Sequence, residues 1–172
     1  PSGSDVGRSE YCPPMGTPLA IILTEQPWTQ PTVVDLPAGV LVVKSLHKNL
    51  TIADLPRVFD AGYSALAAAN PIGPGYALYF GDPMATFDLE IGFPVAADPQ
   101  IEGIEVSEYL SGPALALSHS GSYESLGETW GTLSAAFLAQ GGSFSRSLEL
   151  YVTDPSVTAT EDLRTDLFLP LS

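Results

Sequence analysis

Glu149 lies inside the run Leu148-Glu149-Leu150-Tyr151-Val152, an otherwise apolar and aromatic segment of strand-forming residues. A side-chain period of two puts Glu149 and Tyr151 on one face and the leucines on the other. If that face is covered, a carboxylate on it is costly unless something pairs with it. The local cation is Arg146. Two readings stay open: Glu149 faces solvent or pairs with Arg146, or it is one carboxylate among the aromatic residues that collect around it. Tyr76, Tyr79, Phe80, Phe93, Tyr123 and Trp130 fall on neighbouring elements. They can serve as core, or their negative ring faces can join the carboxylate in recognising a lipophilic cation.

His119-Ser120-Gly121-Ser122-Tyr123 joins the end of a strand to the start of a helix, with Gly121 for the turn and Ser122 as helix cap. His119 is of a residue type that titrates near neutrality, although a single histidine at a strand end is commonly structural. Ser118 and Ser120 flank it without a Gly-x-Ser-x-Gly elbow, and no phosphate-cradling glycine pattern occurs, so serine-hydrolase and nucleotide chemistry lack support. Cys12 is the single cysteine, and His47 and His119 are 72 positions apart. That excludes an internal disulfide and any paired Cys/His metal pattern, and no cofactor or metal is expected.

The elements that must position these residues begin near Thr32. Residues 1–31 hold six of the sixteen prolines and read as a tail or linker, within which Leu19–Leu23 could form an edge strand. Val33–Ser45 reads as strand with a turn at Pro37-Ala38-Gly39. A helix follows: Thr51 is its candidate cap, Asp54 stands three residues on, and Leu55, Val58, Phe59, Gly62 and Leu66 form its stripe. Strands are predicted at Tyr76–Phe80 and Phe87–Val95 around Gly81-Asp82-Pro83. The second half predicts strand (Ile104–His119, interrupted at Ser111-Gly112-Pro113), helix (Ser122–Ala139), then strands at Ser147–Val152 and Arg164–Leu169.

The order of elements is used twice, in half-repeats of about 32–97 and 103–172. Leu78, Tyr79, Asp82 and Pro83 recur as Leu150, Tyr151, Asp154 and Pro155 at an offset of 72, and Leu55 and Phe59 match Leu126 and Trp130 at an offset of 71. Glu149 breaks this symmetry, because its mate is Ala77. A duplicated β-α-β-β unit closes when each helix covers the apolar face of its strands. The expected fold is therefore α+β, an antiparallel sheet with two helices on one side and a ligand groove between them.

Composition narrows the partners. The 172 residues carry 20 acidic and 6 basic side chains, a formal net charge of −14. Phosphate-backbone affinity comes from Lys and Arg, so direct nucleic-acid binding is excluded. From Val58 to Ser145 there is no Lys or Arg, while ten acidic residues fall in that stretch, a field that attracts cations and keeps the surface soluble. No apolar run approaches the roughly 20 residues that span a bilayer, so no membrane partner is expected and the cytoplasm is the expected location.

Gly73-Pro74-Gly75-Tyr76-Ala77-Leu78-Tyr79, Asp88–Val95, His119-Ser-Gly-Ser-Tyr123, Glu149-Leu-Tyr151 with Asp154-Pro155, and Thr165–Pro170 together resemble the GyrI-like small-molecule-binding domain, also found as the effector-binding half of multidrug-responsive and AraC-type regulators. The resemblance covers residues 32–172. It implies paired β-α-β-β units around a groove, and an aromatic-lined cleft for lipophilic, often cationic compounds with Glu149 at its base. Tyr79, Phe93, Tyr123, Trp130 and Tyr151 would be its walls, with His119 beside them. It also implies two alternatives: hydrolysis of cyclopropane-bearing genotoxic natural products, with Glu149 and Tyr123 or Tyr151 as the catalytic groups, or inhibition of DNA gyrase as a protein partner. No helix-turn-helix or zinc module is recognisable in the chain, so a stand-alone member or an effector half is expected.

Overall fold

The computed structural model describes residues 23, 26–81, 85–142, 145–154 and 157–171. Asp82, Pro83, Pro155 and most of the proline-rich stretch lie outside the described residues. The first half contains β1 (Thr32–Leu36), β2 (Leu41–Leu50), α1 (Leu55–Leu66), β3 (Tyr76–Phe80) and β4 (Phe87–Pro94). The second contains β5 (Glu105–Glu108), β6 (Gly112–Ser120), α2 (Leu126–Ala139), β7 (Arg146–Tyr151) and β8 (Arg164–Pro170). All eight strands join one antiparallel sheet in the order β1-β6-β8-β7-β3-β4-β2-β5.

The two β-α-β-β units are contiguous in that order, β6-β8-β7 beside β3-β4-β2, so a pseudo-twofold axis passes between β3 and β7. The first strand of each half crosses over: β1 pairs with β6, and β5 pairs with β2. The run 104–119 is accordingly not one interrupted strand but two, lying in different halves of the sheet. Residues 37–40 link β1 to β2, and residues 109–111 link β5 to β6, although each pair is far apart in the strand order. Links this short require the sheet to curl until its two ends meet.

The inside of that curl is a dry core. Leu36, Val40 and Tyr109 from the ends of the sheet pack with Tyr76, Leu78, Leu148, Leu150 and Phe168 from its centre. Trp28 completes it, with its ring edge-on to Phe168 at 5.7 Å and its N–H and C=O both bonded to Ser118. Packing therefore begins before Thr32. Two carboxylates occupy equivalent places inside the curl, Glu90 opposite Leu78 and Asp166 opposite Leu150. Lys44 stands 3.6 Å from Glu90, and Arg164 forms paired bonds of 2.9 and 3.0 Å to Asp166. Two of the chain's six cations are thereby held on the face away from the helices.

Both helices lie on the other face. α1 buries Val58, Gly62 and Leu66 against Val43, Ala77, Leu89 and Ile91, and α2 buries Leu133 and Phe137 against Leu115, Leu117, Leu167 and Leu169. Gly62 lets the helix sit close to the sheet: a Cβ there would come within 2.2 Å of Ile91 Cδ1 and make that side chain shift. The expected pair sits one turn earlier than α1: Thr51 caps a 3-10 turn, Ile52–Asp54, that leads into the helix, with the Thr51 N–H donating to Asp54 at 2.9 Å. At the start of α2, Gly121 takes φ +103° and Ser122 Oγ accepts from the Glu124 N–H at 3.1 Å. No helix among the described residues is long and apolar enough to cross a membrane.

Candidate functional site

Between the helices, over β3 and β7, the sheet floors a cleft of about 1430 Å³. Its helical walls are equivalent positions in the two halves. Ile52, Leu55, Phe59 and Tyr63 form the first, spaced at three and four residues, and Tyr123, Leu126, Trp130 and Ser134 form the second, each at an offset of 71. The floor repeats in the same way, with Tyr79 matched to Tyr151 and Gly75 to Ser147. Phe93 of β4, opposite Val43 of β2, and Leu169 of β8, opposite Leu115 of β6, both line the cleft from matching places.

Glu149 lies on this floor, 6% exposed, directly across from Ala77 in β3. It accepts from the Tyr151 hydroxyl at 2.5 Å, the Trp130 indole N–H at 2.7 Å and, at a long 3.4 Å, the Tyr79 hydroxyl. These donors are all neutral. Arg146 lines the cleft but makes no ion pair with Glu149; it starts the strand with the opposite parity, in register with Phe80. The solvent-facing and Arg146-paired readings are therefore not what the chain adopts. Burial pushes the Glu149 carboxyl above its ordinary value of 4.5, opposed by the bonds from Tyr151, Trp130 and Tyr79 and by the nearby His119 ring.

The rings form a continuous wall around that carboxylate. Tyr151 is central, with centroids 6.0 Å from Phe59, 6.5 Å from Tyr63 and 6.2 Å from Tyr123, all edge-on. Tyr63 carries the chain of rings on to Phe93 at 5.2 Å. Burial first, and the Glu149 charge next, push the Tyr151 phenol well above its usual range, so it remains a proton-bearing donor at any ordinary pH. Tyr123 is the most open of these rings, 38% exposed at the mouth.

Of the seven residues singled out from sequence, Glu149, Tyr151, Tyr123, Trp130, Tyr79 and Phe93 line the cleft. His119 does not. It is buried behind the α2 wall, with Nε2 2.7 Å from the Ser122 carbonyl and Nδ1 2.7 Å from Thr129 Oγ1. A carbonyl can only accept, so Nε2 carries hydrogen, and the ring ties the end of β6 to the beginning of α2. Sequence reasoning missed Ile52, Tyr63 and Ser134 and took Leu55 and Phe59 for core; applying the 71-residue offset to Tyr123 and Trp130 would have found Ile52 and Phe59. No cluster of three or more metal-ligating side chains occurs among the described residues.

Comparison with known proteins places the fold. The model of a family described as the GyrI-like small molecule binding domain matches residues 82–172, a span that includes Glu149. The C-terminal domain of EcmrR is similar at 15% identity, with 83% of this chain and 97% of that one covered and a TM-score of 0.66. SAV2435, solved bound to tetraphenylphosphonium, is similar at 14% identity, with 84% and 94% covered and a TM-score of 0.62. A hydrolase from Listeria innocua is similar at 14% identity, with 86% and 94% covered and a TM-score of 0.61. At such identities the likeness is one of fold. No curated protein matches the sequence.

Proposed function

The chain belongs to the GyrI-like small-molecule-binding family, and from that premise we propose that its cleft binds lipophilic cations, as a sensor or a sequestering protein. The observation that carries this is Glu149: a buried carboxylate held by three neutral donors, with no cation paired to it and aromatic rings around it. A lipophilic cation supplies the missing charge, buries its apolar surface against the rings and meets their negative faces. A hydrated inorganic ion would have to shed its water into a wall that offers it one carboxylate, which disfavours it. The tetraphenylphosphonium bound to SAV2435 is a compound of the expected kind in a related fold.

The test is a fluorescence titration with a planar cationic dye. Affinity on the order of micromolar is expected for the wild type, falling about tenfold or more in Glu149→Gln with the circular dichroism spectrum unchanged. Equal binding by the two proteins would overturn the proposal.

A second reading is favoured by one contact, the 2.5 Å bond between Tyr151 and Glu149. A desolvated Glu149 carboxylate can take a proton from water as the water oxygen attacks a strained cyclopropane carbon. The ring C–C bond breaks, and its electron pair passes to a conjugated acceptor hydrogen-bonded by a tyrosine hydroxyl. Mass analysis of such an electrophile separates this from binding. Addition of one water, lost in Glu149→Gln, would establish the hydrolase; an intact compound would rule it out.

A further inference from the structure

The two walls of the cleft are built from equivalent positions but not from equivalent chemistry. In the second half, Trp130 replaces Phe59, Tyr123 replaces Ile52, Ser134 replaces Tyr63 and Glu149 replaces Ala77. Three of these differences, Trp130, Tyr123 and Glu149, add a polar group on the same side of the pseudo-twofold axis, while Ser134 exchanges one hydroxyl for another on a much smaller side chain. The smaller Ser134 also leaves room beside Trp130 where Tyr63 fills the corresponding space in the first half.

The first-half wall is apolar in effect as well as in composition. Ile52, Leu55, Phe59 and Phe93 carry no polar side-chain atom, and the Tyr63 hydroxyl is turned away to donate to the Tyr76 carbonyl at 2.5 Å. The Tyr79 hydroxyl points across the axis to Glu149. Among the charged side chains that line the cleft, Glu149 is the one on the floor with only neutral donors on its carboxylate. A volume of about 1430 Å³ exceeds what a compact ligand fills, since drug-sized pockets run to roughly 1,000 Å³.

We propose that the cleft is specific for amphiphilic monocations with one charged head and an extended apolar body, held in one orientation: the head beside Glu149 and Trp130, the body across the axis along Leu55, Phe59 and Phe93. This rests on the cation-binding reading of the same cleft. A ligand placed the other way round would bury its charge against the apolar wall and leave Glu149 facing hydrocarbon, losing at both ends. A symmetric cation satisfies Glu149 but leaves the first-half wall wet.

Calorimetric titration of the full chain with alkyltrimethylammonium ions from butyl to dodecyl, kept below their micelle concentrations, tests this. In the wild type, affinity is expected to climb by about fourfold per added methylene until the body reaches the end of the first-half wall. Glu149→Gln is expected to weaken every member by one common factor and leave the increment per methylene intact. Phe59→Ala is expected to reduce the increment to about twofold, with Phe59→Leu as a milder variant should the alanine protein fold poorly. Affinity independent of chain length, with binding intact, would overturn the orientation while leaving cation binding standing. A Glu149→Gln change that flattens the increment, or a Phe59→Ala change that shifts all members equally, would also overturn it. Failure of every member to bind the wild type would remove both this inference and the reading beneath it.

Discussion

On the cation-binding reading proposed above, the protonation of Glu149 governs the cleft. A cation needs the ionised carboxylate, and burial holds the Glu149 pKa above its ordinary 4.5. Affinity is therefore expected to fall as pH drops through that raised value, above the pH at which an exposed glutamate would protonate. Binding should also release protons, seen as a calorimetric enthalpy that changes with the ionisation heat of the buffer. Stability carries the opposite dependence. Between 4.5 and the raised value the native state keeps a proton that the unfolded chain has released, so the ligand-free protein loses stability as pH rises through that window. Subtracting the melting-temperature profile of Glu149→Gln from that of the wild type should isolate this slope, and a flat difference would show that the carboxyl titrates normally. The alternation of Leu148–Val152 was enough to place Glu149 and Tyr151 side by side. It could not say that the face was covered, because covering depends on a helix that comes from another part of the chain.

The helices place the donors that hold Glu149, and α2 depends on His119 for its footing. Removing that ring leaves the Ser122 carbonyl and the Thr129 hydroxyl without their 2.7 Å partners and loosens the turn from which Tyr123 and Trp130 are projected. His119→Ala is expected to cost about 2 kcal/mol of stability and to weaken cation binding, although the ring does not reach the cleft. His119→Gln, whose amide can still donate to Ser122, should recover most of the stability. A purely structural loss would leave the pH midpoint of binding in place; the His119 ring helps keep the proton off Glu149, so in His119→Ala that midpoint should rise. Strand and helix spans were legible from periodicity and turns, β3 being read as Tyr76–Phe80. Leu55 and Phe59 were legible only as an apolar stripe. A wall facing a cleft and one facing a core use the same residue types, and only the position of α2 separates Phe59 from its buried neighbour Val58.

Curling the sheet separates the chain's charges by face. The exchange of β1 and β5 between halves was hidden from the sequence, since it depends on the two short links closing across the sheet rather than on any local pattern. Inside the curl Lys44 and Arg164 pair with Glu90 and Asp166, and Arg57 pairs with Asp54 before α1, so three of the six cations are engaged by carboxylates within the chain. A net charge of −14 then acts on an approaching cation over a distance set by salt, about 8 Å at physiological ionic strength. The contact with Glu149, desolvated and within the cleft, is screened far less. Association and dissociation should accordingly respond to different variables. Stopped-flow measurements on a cationic dye are expected to show the association rate falling several-fold as salt is raised from low to physiological, with little change in dissociation. Glu149→Gln should do the reverse, speeding dissociation and leaving the salt dependence of association nearly intact. An association rate indifferent to salt would mean that the acidic surface maintains solubility without steering the ligand, and that Glu149 selects cations unaided.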